Sequence, residues 1–344
     1  MALAVPVFGL AIAGEWWLAR RRGREASYHP GVAAADIGCG ALYQALELVL
    51  RIAVLGVYGL CYEHARLVDW DSASGWPWVI GLLGVDLAYY AWHRVSHVVN
   101  ALWAVHAVHH QSEDYNFAVA LRQPLAEPLT WMPFLCIFAV LGIPVEVALA
   151  SFAANMFYQF WLHTELVGRL PRPLEWVLNT PSHHRAHHGI EPEYLDKNYG
   201  GVLILWDRLF GTFEPERRPP TYGTTDPLRS LNPLWGNAAH WYYMLKLAAT
   251  ARSRWDALRV LVAHPSWRPV GVAASVGGRR PARYRPSVSA KIQLRALAGL
   301  GVAVTAATTL LLFEASLSVG QLLLGFGALA AVVVAATSAL ERRG

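Results

Sequence analysis

Charge is what this chain carries least of. Asp, Glu, Lys and Arg make up 15% of its 344 residues, against about 25% in an ordinary soluble domain, so most of its surface is not built for water. Cysteine is nearly absent as well. Cys39, Cys61 and Cys136 are widely spaced, form no CxxC pair and each sit in an apolar segment. That excludes a disulfide framework and leaves them as small buried hydrophobes. No basic stripe runs along the chain, and its net charge of +5 comes from short clusters beside apolar runs. This placement speaks against nucleic acid and for an orientation signal at a membrane. Repeats and low-complexity tracts are missing too. In their place stand 55% hydrophobic residues, with fifteen Trp and fourteen Tyr, amphipathic rings of the kind that collect at bilayer interfaces.

A membrane span needs ~20 mainly apolar residues. The apolar stretches predict an all-α, polytopic membrane helix bundle of about six spans, a single integral-membrane domain over 1–344. The first stretch, Leu3 to Leu18, is short and is followed by Arg20, Arg21, Arg22 and Arg24. Its positive charge comes after the apolar run, so it reads as a retained anchor and not as a cleaved signal peptide. Further stretches run from Gly38 to Cys61, Trp78 to His97, Pro124 to Leu141, Pro144 to Leu162, Leu294 to Phe313 and Leu317 to Leu340. The positive-inside rule orients them. The 20–24 arginines, the Arg-rich stretch 164–295 and the Glu341-Arg342-Arg343 tail fall in the cytoplasm. The loop from Glu63 to Trp76 and the turns at 142–144 and 314–316 fall outside. The expected organisation is a catalytic core at 78–213, a cytoplasmic cap at 164–290 of short helices and loops, and a C-terminal transmembrane hairpin at 291–344.

Histidine is where the chain concentrates its chemistry. It has fourteen, and three clusters emerge: His93-Arg-Val-Ser-His97, His106-Ala-Val-His109-His110 and His183-His184-Arg-Ala-His187-His188. His163 stands alone at the inner end of the Pro144–Leu162 stretch. Residues i and i+4 share one helical face, so His93 and His97 can aim at one metal, as can His106 with His109 or His110. Adjacent histidines diverge by about 100°, which suits an HH pair to serving two neighbouring metals. His93, His97, His106, His109, His110, His184, His187 and His188, with His163 and His183 as further candidates, are too many for one ion and about right for two. The topology brings all of them to one cytoplasmic level. His29, His64 and His264 read as surface or loop residues, and His240 as a candidate supporting contact. Imidazole suits Zn, Cu, Fe and Ni alike. There is no HExxH segment of the zinc proteases, no cysteine near the clusters for structural zinc, and no pair of single facing histidines for a b-type haem. Two irons that activate dioxygen fit best, the identity of iron resting partly on a resemblance.

That resemblance lies in Asp86-Leu-Ala-Tyr-Tyr-Ala-Trp-His93-Arg-Val-Ser-His97, Trp103-Ala-Val-His106-Ala-Val-His109-His110-Gln-Ser-Glu113-Asp114-Tyr-Asn116, Trp161-Leu-His163-Thr-Glu165, Thr180-Pro-Ser-His183-His184-Arg-Ala-His187-His188-Gly189, Asp196-Lys-Asn198-Tyr-Gly-Gly201 and Trp206-Asp207-Arg-Leu-Phe-Gly211. Together these segments, spanning Trp78 to Phe213, resemble the fatty acid hydroxylase/sterol desaturase superfamily and are most similar in motif to its alkylglycerol monooxygenase branch. The resemblance implies iron, dioxygen, an external electron source and a lipid substrate. An animal member of that branch uses a reduced pterin; no residue here identifies a pterin pocket, and no cytochrome b5-like haem domain is expected. The donor is therefore expected to be a separate molecule, whether a reduced pterin, a ferredoxin or a cytochrome b5-like protein.

Several polar residues are candidates for supporting the metals. A carboxylate inside a span is costly and by default functional. Asp86, two helical turns before His93, is expected to accept an imidazole N–H or to offset the metal charge, and Glu165 and Asn198 are candidates for similar parts. Glu47 and Arg51, at i and i+4, should pair as packing. Arg122 should meet a lipid phosphate or anchor the interface. The expected reaction is O2-dependent hydroxylation of a lipid C–H bond. A desaturase on the same site is one alternative, and a non-catalytic membrane metal-binding protein is the alternative of another class.

Overall fold

The computed structural model describes residues 4–70, 74–272 and 282–341. Among them are thirteen α-helices: α1 (Ala4–Arg21), α2 (Pro30–Ala65), α3 (Trp76–Val98), α4 (Asn100–His110), α5 (Glu127–Val140), α6 (Val145–Phe160), α7 (Arg172–Val177), α8 (Pro181–His187), α9 (Leu205–Phe210), α10 (Pro233–Ala249), α11 (Arg254–Val262), α12 (Ala290–Leu312) and α13 (Val319–Glu341). No strand occurs among the described residues; two isolated bridges, Leu178 to Leu203 and Gly189 to Tyr222, tie loops together. Proline marks where many helices begin, standing in the first turn of α2, α3, α7, α8 and α10, where its missing N–H costs nothing.

Three helices, α2, α12 and α13, are long and apolar enough to cross a membrane. The other stretches that sequence reading expected to span do not meet that measure. α3 is long enough, but Asp86, His93, Arg94 and His97 dilute its apolar character. α5 is apolar but has only 14 residues, about 21 Å of helix against a hydrocarbon core of about 30 Å. The α5–α6 connection is a tight turn that depends on Gly142, whose φ is +78° and whose added Cβ would lie 1.8 Å from the Val68 carbonyl oxygen.

The α12–α13 hairpin clasps α2. Ala41, Leu42 and Ala45 meet Ala303, Ala307 and Val333, and the four alanines let the backbones approach where lipid supplies no hydrophobic drive. α5 packs on another side of α2, and α6 packs on α3, around Val54, Tyr58, Val85, Phe138 and Val147. The Arg51–Glu47 pair forms, 2.6 Å apart, and Arg51 also reaches Glu314 of the α12–α13 turn at 3.3 Å. With 36 residues, α2 is about 54 Å long and extends past the hydrocarbon. Its first turns stand beside the segment that follows α4, where Asp36 accepts from Ser112 and Arg122. Segment 161–272, carrying α7 to α11, folds over the same end of the bundle and closes the histidine region.

Candidate metal centre

Nine histidines gather into two adjoining sets. His93 and His97 from α3, His106 and His110 from α4, and His187 from α8 place one ring nitrogen each within 4.8 Å of one another. His109, His163, His184 and His188 form the second set by the same measure. All nine are buried. Each adjacent pair is divided between the sets, His109 from His110 and His187 from His188, as the 100° step between neighbours on a helix requires. The sets meet where the His110 and His188 rings stack at 4.3 Å between centroids.

The donor chemistry fits metal ions. His93 Nδ1 donates to the Tyr199 carbonyl at 2.9 Å, His109 Nδ1 to that of Arg122 at 3.2 Å, His163 Nδ1 to that of Gln159 at 3.0 Å and His187 Nδ1 to that of Lys197 at 2.8 Å. A neutral imidazole that donates from Nδ1 has only a lone pair on Nε2. Yet His109 Nε2 and His163 Nε2 face each other at 3.1 Å, two lone pairs that repel unless a cation lies between them. His106 Nε2 stands 3.0 Å from His93 Nε2 and 3.1 Å from His110 Nε2. His97 Nε2 and His187 Nε2 are buried with no hydrogen-bond partner among the described residues. Ligand bonds of 2.0–2.1 Å at right angles place neighbouring donor atoms about 3.0 Å apart, which is the spacing seen. Burial pushes the His109 imidazole down to about 4 and that of His187 to about 3, and it holds His106, His110, His184 and His188 well below the usual range. All are therefore neutral near pH 7, the form that binds metal.

The supporting contacts differ from expectation in instructive ways. Asp86 accepts no imidazole proton. Its oxygens take Val202 N–H at 2.7 Å, Leu203 N–H at 3.1 Å, Trp206 Nε1–H at 2.8 Å and Asn155 Nδ2–H at 2.8 Å. Four donors saturate it, and through Val202 and Leu203 it pins the loop that carries the Tyr199 carbonyl, the acceptor of His93. Asp207 pins the same loop from its other side through Tyr199 N–H and Gly200 N–H. Asn198, at a positive φ of 59°, donates to the carbonyls of His183 and Glu214 and so braces the loop against α8. Glu165 lies outside both sets, its backbone carbonyl accepting from Arg24. His183 joins neither set: its Nε2 lies 2.9 Å from Glu175 Oε2.

Arg122 meets no lipid. It is buried and bonds to Asp36, the Val108 carbonyl and Gln111, and this fixes the carbonyl that orients His109. His240 bonds Asn100 at 2.7 Å, away from the metal sets. His264 is exposed, as expected, yet it holds Asp196 at 3.0 Å, and the other oxygen of Asp196 lies 3.8 Å from His97 Nδ1. Sequence reading missed Glu175 and Arg185 as supports. Arg185 ties α8 to the carbonyls of Thr164 and Val167 and to Glu216. It sits inside the third histidine cluster, so its position carried a signal; Glu175 carried none.

Comparison with known proteins agrees with this geometry. Residues 78–212 match the sequence model of the fatty acid hydroxylases, described as "Fatty acid hydroxylase". The chain is 38% identical over 235 residues to the alkylglycerol monooxygenase of Xenopus tropicalis, covering 68% of this chain and 52% of the relative. With the alkylglycerol monooxygenase of Homo sapiens it is 40% identical over 237 residues, covering 69% and 53%. An ornithine lipid hydroxylase of Rhizobium tropici is 31% identical over 169 residues, covering 44% of this chain and 46% of the relative. The chain thus spans about half the length of the alkylglycerol monooxygenases it matches. No solved structure matches it significantly. The matched region carries all nine gathered histidines and the loop that orients them, and residues 78–212 are a fatty acid hydroxylase domain.

Proposed function

We propose that this protein is a membrane-bound, two-iron monooxygenase that uses O2 and an external reductant to hydroxylate a C–H bond in the alkyl part of a lipid. The observation that carries the reading is the division of nine buried imidazoles into two touching sets of five and four. His93, His97, His106, His110 and His187 would hold one iron, and His109, His163, His184 and His188 the other. Two irons there would supply the reduction of dioxygen that puts one oxygen atom into the C–H bond and releases the other as water, with two electrons and two protons from the donor. The chain's own part is to fix and dry the site. Backbone carbonyls hold the Nδ1 protons of four imidazoles, so their Nε2 lone pairs converge. Trp92, edge-on to His106 and stacked on Trp131, walls the first set with apolar rings. Tyr115, packed on His163, His188 and Tyr222, does the same for the second.

The relatives named above are a monooxygenase of alkylglycerols and a hydroxylase of an ornithine lipid. This favours hydroxylation over desaturation and makes an ether lipid the first substrate to try. The donor is a separate molecule, a reduced pterin, a ferredoxin or a cytochrome b5-like protein, told apart by which one supports turnover of purified enzyme. Arginine placement supports about six spans with the histidines facing the cytoplasm; a cysteine at exposed Asp226 should then resist impermeant reagents in intact cells. The decisive experiment is lipid analysis of a host with and without the gene under labelled dioxygen. One labelled oxygen in a new lipid alcohol, or in a product derived from it, is expected. A new double bond without label would establish a desaturase, and metal binding with no oxygen uptake a non-catalytic protein.

A further inference from the structure

α10 is not among the spans, yet it presents an apolar face to the outside. Leu234, Trp235, Trp241, Tyr242 and Leu245 are all exposed, Leu245 to 69%, and they recur at helical spacing along one side of the 17-residue helix. The opposite side is spoken for: Met244 and Leu247 pack with Ala104 of α4 and Val260 of α11. α11 continues the exposed surface with Trp255, 81% exposed, and with Leu258 and Val262. A contiguous apolar surface of this kind on a folded protein marks a contact.

Two further observations say what covers it. The first is depth. A Cβ added to Gly38 of α2 would meet Val333 of α13 at 2.8 Å and Pro233, the first residue of α10, at 3.7 Å. Val333 lies eight residues before the end of α13 at Glu341, about 12 Å along the helix. α10 therefore starts level with the interior of the spans and not beyond their ends. The second is charge. Between Pro233 and Val272 the chain has five basic residues, Lys246, Arg252, Arg254, Arg259 and Arg268, against one acidic residue, Asp256. Lys246 lies over the Tyr242 ring at 4.4 Å and Arg259 over Trp267 at 4.8 Å. Tryptophan and tyrosine beside basic side chains match the boundary of a bilayer that carries anionic headgroups.

We propose that α10 and α11 lie along one face of the membrane as an in-plane anchor, their apolar side in the acyl region and their basic side chains on anionic lipid headgroups. The proposal rests on reading α2, α12 and α13 as spans. It places the bilayer surface one helix away from α4, which carries His106, His109 and His110, so a lipid substrate need travel only past α10 to reach the histidines.

The test uses the full-length, iron-loaded protein in lipid nanodiscs, with an environment-sensitive fluorophore on a cysteine at position 245 and with Cys61 and Cys136 replaced by Ala. A second labelled variant at Val302, exposed on α12, reports on the spans. Both labels should show blue-shifted emission and lose intensity to doxyl-labelled lipid. The loss at 245 should be greater with phosphatidylglycerol than with phosphatidylcholine alone, and Arg252→Glu with Arg254→Glu should abolish that difference. Lipid quenching at 302 with water-like, unquenched emission at 245 would overturn the anchor alone. Water-like emission at both positions would overturn the membrane reading beneath it. Blue-shifted emission at 245 that lipid does not quench would mean a protein covers this face, either a second copy or a donor, and would also overturn the anchor.

Discussion

Glu175 turns His183 out of the metal centre. Its Oε2 lies 2.9 Å from His183 Nε2, and the same carboxylate accepts from Ser182, Thr180 and Leu170 N–H. Burial by itself would raise this carboxyl, but its hydrogen bonds, that of His183 foremost, hold it down to about 2. His183 is the one member of the third cluster whose ring is committed to a carboxylate.

An alanine scan should therefore divide the histidines unevenly. Replacing any of the nine gathered imidazoles by Ala should abolish turnover and lower the iron content. His183→Ala should keep most of its iron and lose activity by about 10–100-fold, the usual cost of a support beyond the ligands. Iron per chain, measured beside activity for each variant, checks this. If His183→Ala loses iron as completely as His184→Ala, its place outside the sets is wrong.

The count of metals is a second expectation. Carefully prepared, fully active protein should hold about two irons per chain, because five and four imidazoles exceed what one ion accepts. Chelation should lower the unfolding temperature as well as activity, since metal binds the folded site alone and relieves the facing lone pairs of His109 and His163. Zinc acquired during purification would restore stability without turnover. One tightly held metal in fully active enzyme would contradict the two-site arrangement.

Asp86→Asn tests a hydrogen-bond network more than a charge. All four contacts of Asp86 are with donors, so an amide must point its own N–H groups at one pair of them. The loop bearing Tyr199 should loosen and free His93. Activity should fall by about 10–100-fold, with iron lost faster on dilution into chelator. Unchanged iron retention would mean that the loop does not depend on this carboxylate.

The clusters were legible in the sequence because ligand spacing is a local property of a helix. His93 with His97, and His106 with His110, share a face whatever the rest of the chain does. Supporting contacts were less legible. The carbonyls of Tyr199, Arg122, Gln159 and Lys197 carry no side-chain signature, and the meeting of Glu175 with His183 depends on how α7 folds against α8. Asp86 stood out as a carboxylate in an apolar helix, but composition cannot tell which donors it will meet. Span counting gave mixed results for a related reason. α2, α12 and α13 each keep a window apolar and long enough to cross a membrane, whereas α3 gives its inner half to the site.

Acid should weaken the contact between α4 and α10. Burial pushes His240 down to about 4, and it bonds Asn100 at the start of α4. As pH falls below 6.5 the unfolded chain takes up this proton first, while the folded protein stays neutral until about 4. Stability is therefore lost progressively across that window. His240→Gln should show a shallower fall in unfolding temperature over the same range. An equal slope in both proteins would remove His240 from the cause.

Because His109 and His110 are consecutive residues of one helix, as are His187 and His188 at the end of α8, the two metal sets are geared together. Turning α4 to bring His110 nearer its partners swings His109 away from its own, and the same holds for α8. Neither set can be retuned alone by a rigid movement of these helices. The separation between the two sets is thus fixed by the pitch of the polypeptide itself, and a single-residue insertion between His106 and His109 would unmesh both at once.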